Sequence, residues 1–351
     1  MWFNNFSQAL GEDNPGTIEE DGREVADKGR GYVFTPELVA AIDVAIGLGR
    51  PLLVSGEPGC GKTELGYAVA RHMRIRRVHS FSTKSNSEAR DLFYNYDALS
   101  RFRDANSSGD GPDTGYDVAD YIEFRALGRA ILDSHPRDAV AHLLRGRRAY
   151  QHPGEPERSV VIIDEVDKAS RDFPNDLLRE IEDLAFRVPE LGRHGAANES
   201  EAEPVTPGAI DPAVRPIIIV TSNEERQLPD AFLRRCVFHQ IGFPSPDLLA
   251  RIIAGGIDKR LPDRGAGFAL PVADRDLLTD LLKKYRDMRL DKRPGISEAI
   301  DAAALLAYPD SPEPPGVWDR VRAAMPALAK LRSDRDQLKT LIDGLAPPTV
   351  T

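Results

Sequence analysis

The chain mixes short runs that are apolar throughout with longer stretches in which apolar residues recur every three or four positions. The runs of the first kind are Pro51-Leu52-Leu53-Val54-Ser55, Val160-Val161-Ile162-Ile163 and Pro216-Ile217-Ile218-Ile219-Val220. With no polar face and many β-branched residues, they predict strands buried on both sides, as in a parallel sheet. Arg76–Ser82 is a weaker strand candidate, and Phe186–Glu190 reads as a short one. Helical spacing begins after Thr35, a good N-cap, with Pro36 suited to the first helical position. Leu38, Ile42, Ala45 and Ile46 share one face, and Gly47 and Gly49 end the pattern. Further helices are expected from Thr63 to Met73, over 85–103, and through Leu177, Leu178, Ile181 and Leu184. Tyr121–Leu132 reads as a helix or a strand–helix piece. Strands alternating with helices predict an α/β parallel sheet.

The pattern changes near 244. From Ser245-Pro246 onward the periodicity is helical, with Leu277, Leu278, Leu281, Leu282, Tyr285 and Met288 marking one helix. Ala299–Leu306 marks another, with Ser297 as its candidate cap, and Val317–Leu345 holds one or two more. Residues 245–351 are therefore expected to form an all-helical domain, and 31–244 an α/β core. Residues 1–30 are polar and turn-rich, with an acidic run Glu19-Glu20-Asp21, and predict a loosely held arm. Residues 104–119 and the acidic, glycine-rich stretch 192–212 read as loops.

The chemistry starts at Gly56-Glu57-Pro58-Gly59-Cys60-Gly61-Lys62-Thr63, which fits G-x-x-x-x-G-K-[ST] at every fixed position. A predicted strand leads in and a predicted helix leads out, the context this pattern needs. Glycines turn backbone N–H groups toward one anion, and the helix N-terminus adds partial positive charge. Lys62 would reach the terminal phosphates of ATP, Thr63 would offer its hydroxyl to Mg²⁺, and Glu64 opens the helix behind them. A glycine-rich turn with a chance Lys-Thr is the plainer explanation, and a second motif decides against it. Val160–Ile163 ends in Asp164-Glu165. An acid at the end of a buried strand can hold Mg²⁺, and the next can polarise water, so Asp164 is assigned to the metal and Glu165 to water activation. Asn223 closes another strand and can hydrogen-bond the attacking water or the γ-phosphate. Leu228–Cys236 ends in Arg234-Arg235, whose planar forks suit a γ-phosphate supplied by a neighbouring subunit. Arg235 is favoured as that finger, with Arg234 second.

Composition narrows the classes. The 351 residues carry a net charge of −10 and are 41% hydrophobic and 29% charged, ordinary for a globular protein of two domains. The acidity argues against nucleic acid as main partner. Cys60 and Cys236 fit neither a disulfide framework nor a zinc spacing, and the seven histidines are scattered. No signal-like start and no run of ~20 apolar residues is present, so a cytoplasmic protein with no membrane partner is expected.

In order, GEPGCGKT, VVIIDEVDKA, IIIVTSN and LPDAFLRRC, followed by a helical tail, resemble the AAA+ ATPases and within them the MoxR group. The resemblance covers roughly 31–310. Glu88-Ala89-Arg90-Asp91-Leu92 and Tyr121–Gly128 stand where that group carries its helix-2 insert (about 85–132), and 186–213 where it has a hairpin before the sensor strand. The resemblance implies ATP and Mg²⁺ as ligands, a homo-oligomeric and usually hexameric ring, and insert loops facing a pore. It implies chaperone-like remodelling, maturation or metal-cofactor insertion with a von Willebrand factor A domain protein as partner. The group often has a nucleotide-contacting arginine at the start of a lid helix. Here that start holds Ser297 and Glu298, and Arg293, a few residues early, is the candidate. Two other readings stay open: a nucleic-acid motor, for which the insert offers Lys84, Arg90, Arg101 and Arg103 with Phe93 and Tyr94, and a non-hydrolysing nucleotide switch or scaffold.

Overall fold

A computed structural model describes residues 5–10, 17–20, 22–107, 117–146, 150–191, 210–260, 270–307 and 316–346. Two compact units divide the chain. The first comprises 1–28, 36–55 and 66–240; the second comprises 29–35, 56–65 and 241–351. The phosphate loop thus groups with the C-terminal helices.

The first unit is built on a mostly parallel sheet. Its strands are β1 (Glu19–Glu20), β2 (Arg23–Glu24), β3 (Leu52–Gly56), β4 (Arg77–Ser82), β5 (Tyr94–Tyr96), β6 (Ile122–Phe124), β7 (Val160–Asp164), β8 (Ile217–Ser222) and β9 (Val237–Ile241). Seven of them form one sheet in the order β2-β1-β4-β7-β8-β3-β9, while β5 and β6 pair separately and antiparallel. The central strands are in parallel register, with Phe81 opposite Ile163 and Ile163 opposite Val220. The helices before residue 241 are α1 (Asn5–Ala9), α2 (Pro36–Leu48), α3 (Lys62–His72), α4 (Ala98–Ser107), α5 (Ala126–Asp133), α6 (Arg137–Val140), α7 (Phe173–Asp176), α8 (Leu178–Asp183) and α9 (Asp230–Leu233).

The unbroken apolar run of β7 is explained by cover on both faces. Val161 and Ile163 join the core cluster that holds Leu127, Ala130 and Ile131 of α5. On the other face, Gly66 of α3 comes so close to Ile162 that a Cβ there would lie 2.5 Å from its side chain. The sheet is extended on one side by a strand the hydrophobic pattern did not announce. β9 alternates half-buried and exposed positions, and its start is tied to β3 by Val237 N–H donating to Pro51 O at 2.8 Å.

Several expectations need correction. The helix expected over 85–103 is instead a 3₁₀ turn (Ala89–Leu92), strand β5 and then α4. Asp97 breaks the pattern by capping α4, its carboxylate accepting from Ser100 N–H at 3.0 Å, and Tyr94 and Tyr96 alternate as strand residues do. Phe186–Glu190 is no strand: Pro189, which lacks an N–H, opens a 3₁₀ turn, and Phe186 is buried against Phe93, Tyr94 and Phe124. The described part of 1–30 is anchored rather than loose. Phe6 and Ile18 are fully buried, Phe6 N–H donates to buried Asp43 at 2.7 Å, and Lys28 bridges Glu20 and Tyr67. The excursion expected over 104–119 is also partly ordered: 104–107 complete α4, and Asp117 caps a 3₁₀ turn at Val118–Tyr121 by accepting from Ala119 N–H. Residues 108–116 and most of the acidic loop, 192–209, lie outside the described residues.

The second unit carries α10 (Pro246–Arg260), α11 (Val272–Arg286), α12 (Ile296–Leu306), α13 (Val317–Leu328) and α14 (Arg332–Leu345). They bury one cluster that includes Leu249, Ile253, Leu278, Leu282, Leu306 and Leu338. Ser297 lies inside α12, whose N-cap is Gly295. Fully buried Asp334 fastens the chain before α12, accepting from Asp291 and Lys292 N–H at 3.0 and 2.9 Å.

Candidate nucleotide site

The candidate residues fall into two sets, one in each unit. The first is the phosphate loop between β3 and α3. β3 is buried throughout, so the loop leaves a fixed point. Gly59 and Gly61 have φ of 76° and 91°, in the left-handed region that glycine enters without a steric penalty. Lys62 is buried, and its ammonium donates to the carbonyls of Gly56 (2.7 Å) and Glu57 (2.9 Å), with Cys60 Sγ at 3.9 Å. Burial pushes the Cys60 thiol above its ordinary range. Thr63 and Glu64 lie half-buried in the first turn of α3. Glu64 accepts from Gly29 N–H at 2.8 Å, which draws the 29–35 segment to the loop, and Tyr32 closes over Gly61.

The C-terminal helices meet this loop at named atoms. Ser297 N–H donates to Gly59 O at 3.1 Å, and Gly295 is packed so near Pro58 that a Cβ would fall 2.9 Å from the Pro58 carbonyl. Arg286 donates to both carboxylate oxygens of Glu57. Arg293 is exposed; Gly295 and Ser297 are the residues of its segment that reach the loop.

The second set stands at the ends of β7 and β8. Thr221 Oγ1 donates to Asp164 Oδ1 at 2.6 Å and accepts from Glu165 N–H at 2.8 Å. Asn223 Nδ2 donates to Glu165 Oε1 at 2.8 Å, and Lys168 holds the other oxygen of the same carboxylate. Glu165 takes a left-handed backbone, φ 56° and ψ 51°, which turns the chain sharply after β7. Asp167 is nearly fully buried and accepts from the N–H groups of Asn223 and Glu225. The structure thus brings Asp164, Glu165 and Asn223 together. Arg234 and Arg235 are both exposed at the end of α9, Arg235 in an ion pair with Glu182 at 3.2 Å.

Sequence reasoning missed Asp167, Thr221, Lys168, Tyr32 and Arg286. The run Asp164-Glu165-Val166-Asp167-Lys168 did carry a signal for two of them: a third acid and a lysine within one turn of the motif.

Each set offers an oxygen that suits Mg²⁺ of a particular kind. Among the described residues no cluster of three or more His, Cys, Asp or Glu side chains could cage a metal. Mg²⁺ that is shared with phosphates needs only one or two protein oxygens, and each set holds a group of that type, the Thr63 hydroxyl in the loop and the Asp164 carboxylate at the end of β7.

A parallel sheet with a strand–phosphate loop–helix passage and an acidic pair ending a second central strand defines a phosphate-loop nucleotide-binding fold. The chain belongs to the AAA domain family, dynein-related subfamily, whose model matches residues 51–236. Comparison with curated proteins finds no match. Among solved structures, a point variant of Thermotoga maritima RuvB aligns at a TM-score of 0.42 and 17% identity, over 88% of this chain and 74% of that one. Thermotoga maritima RuvB described as a Holliday junction branch migration motor aligns at 0.41 and 17%, with the same coverage. Likenesses this loose say nothing of what the present chain acts on. No described helix is long and apolar enough to cross a membrane.

Proposed function

We propose that this protein is a Mg²⁺-dependent ATPase of the MoxR type that assembles into a hexameric ring and remodels or matures a protein partner. The observation that carries the catalytic part is the network at the ends of β7 and β8. There an acid for the metal (Asp164), an acid for water (Glu165) and an amide (Asn223) are fixed to one another by hydrogen bonds.

The roles follow from the chemistry. Backbone N–H groups of Gly59–Lys62 and the Lys62 ammonium receive the phosphates, exchanging the carbonyls of Gly56 and Glu57 for phosphate oxygens. Mg²⁺, when bound, neutralises charge on the terminal phosphates. Thr63 and Asp164 would hold it. Glu165 orients and deprotonates the attacking water, and Asn223 fixes the Glu165 carboxylate. Arg235, or Arg234 beside it, reaches the nucleotide of a neighbouring copy. Arg293 is retained as a nucleotide contact in the second unit. Residues 31–244 act as the ATPase core with an insert at about 85–132, and 245–351 as the lid and C-terminal helices. A von Willebrand factor A domain protein is the partner class that the MoxR reading carries with it.

Steady-state ATP hydrolysis tests the reading. Purified protein should release phosphate from ATP in a Mg²⁺-dependent way, with a rate per subunit that rises with protein concentration because the finger comes from a neighbour. A protein that binds ATP yet releases no phosphate at any concentration would be a nucleotide switch.

A further inference from the structure

We infer that Arg286 sets nucleotide affinity by holding and neutralising Glu57 in the phosphate loop, and not by touching the phosphates itself. The inference rests on the nucleotide-binding reading above.

Arg286 ends α11, and its guanidinium is held from three directions. Its planar face lies over the Phe243 ring, 3.8 Å from the centroid. One terminal nitrogen donates to the Pro294 carbonyl. The other donates to both carboxylate oxygens of Glu57, at 3.1 and 3.0 Å. The Arg286 side chain is 10% exposed and that of Glu57 50%, so the arginine is the fixed partner and the carboxylate is brought to it. A stacked, forked guanidinium loses little freedom in making such bonds.

Glu57 has a specific need of it. It is the second residue of the loop, and its own carbonyl accepts from the Lys62 ammonium at 2.9 Å. An unpaired carboxylate on that residue would repel an incoming polyanion and would pull on Lys62 as a competing acceptor. Paired with Arg286, the same side chain becomes a neutral tether. The bond to Pro294 orients the guanidinium, while Gly295 meets the Pro58 carbonyl through backbone alone. The hold that the Arg286 side chain places on the loop therefore runs through Glu57.

This makes Arg286 a positioning residue, and a double-mutant cycle separates that role from direct phosphate contact. Binding of a fluorescent ADP analogue is measured by anisotropy for the wild type, Arg286→Ala, Glu57→Gln and the double variant, each full length. Arg286→Ala should weaken binding about tenfold, the worth of a charge-assisted hydrogen bond. Glu57→Gln, which removes the charge that needs neutralising, supplies the reference affinity against which the double variant is read. The double variant should recover to within about threefold of Glu57→Gln, because the partners act as one unit. A double variant as weak as Arg286→Ala alone overturns the inference, since rescue is impossible if the guanidinium acts on the phosphates. Should Arg286→Ala fail to fold, judged by its nucleotide-free melting curve, Arg286→Lys serves in its place. Lysine keeps the charge but loses the fork and the stacking, and its affinity deficit should likewise vanish in combination with Glu57→Gln; persistence of the deficit counts against the proposal. A wild-type protein that binds no ADP analogue would overturn the nucleotide reading itself, a result distinct from a failed rescue.

Discussion

Glu165 occupies a backbone conformation that costs a non-glycine residue about 1–3 kcal/mol, and it does so beside the acid proposed to hold the metal. The cost is offset locally: its N–H is taken by Thr221 and its carboxylate by Asn223 and Lys168. Replacing it by glutamine keeps the shape and an acceptor for Asn223 but removes the base. Glu165→Gln should bind nucleotide normally and turn over about 10²- to 10⁴-fold more slowly, read by phosphate release against analogue binding. Lys62→Ala should lose nucleotide binding, read in the same titration. Asp167 never touches the proposed water, yet its carboxylate accepts from the backbone on both sides of Glu224, itself at φ 60°. Asp167→Ala strands those N–H groups. It should cost about 1–3 kcal/mol of stability and lower turnover while leaving nucleotide affinity intact, with faster hydrogen exchange confined to 223–225. The cysteines give a chemical check. Burial pushes Cys236 up to about 12 and Cys60 above its usual value, so both stay protonated at about pH 8. Alkylation by iodoacetamide should be slow at that pH and speed up as the pH is raised, measured by mass spectrometry.

At the scale of elements, packing against a glycine shows where the sequence was readable and where it was not. A Cβ on Gly128 of α5 would meet the Phe93 carbonyl at 2.0 Å, which fixes α5 against the chain entering β5. Gly128→Ala should therefore destabilise the protein by about 1–3 kcal/mol or more, seen as a lowered urea midpoint. Nothing in the local pattern of Tyr121–Leu132 demanded that approach; it arises from a partner far upstream in the chain. The buried strands β3, β7 and β8 were legible because both faces are covered and every position must be apolar. The loop and the acidic pair were legible because phosphate and metal chemistry restrict residue type at fixed spacing. β5 was hidden inside a helical-looking stretch, since three residues are too few for a period to show and its partner β6 supplies half the reason for its existence. β9 was hidden for a different reason: an alternating strand at the rim of a sheet carries exposed residues such as Phe238, which blur the hydrophobic signal. Arg286 could not be found at all by spacing, as its partner lies 229 residues away.

For the molecule as a whole, the proposed finger makes oligomerisation part of catalysis. Arg235→Ala should abolish hydrolysis with nucleotide affinity nearly unchanged in the isolated subunit; normal turnover would move the finger to Arg234 or elsewhere. Light scattering of Glu165→Gln with and without ATP should show growth to about six subunits with nucleotide. The small hairpin β1–β2 bears on handling such a protein. β1 runs parallel to β4, with Glu19 opposite Arg77 and Glu20 opposite Val78. A version trimmed to begin at residue 31 would look tidy on the boundary read from the sequence, yet it would leave the β4 rim with bare amide groups that template pairing with other chains. The soluble yield of such a truncation should fall through edge-to-edge clumping, and the phosphate-loop helix would also lose its bonds to Lys28 and Gly29.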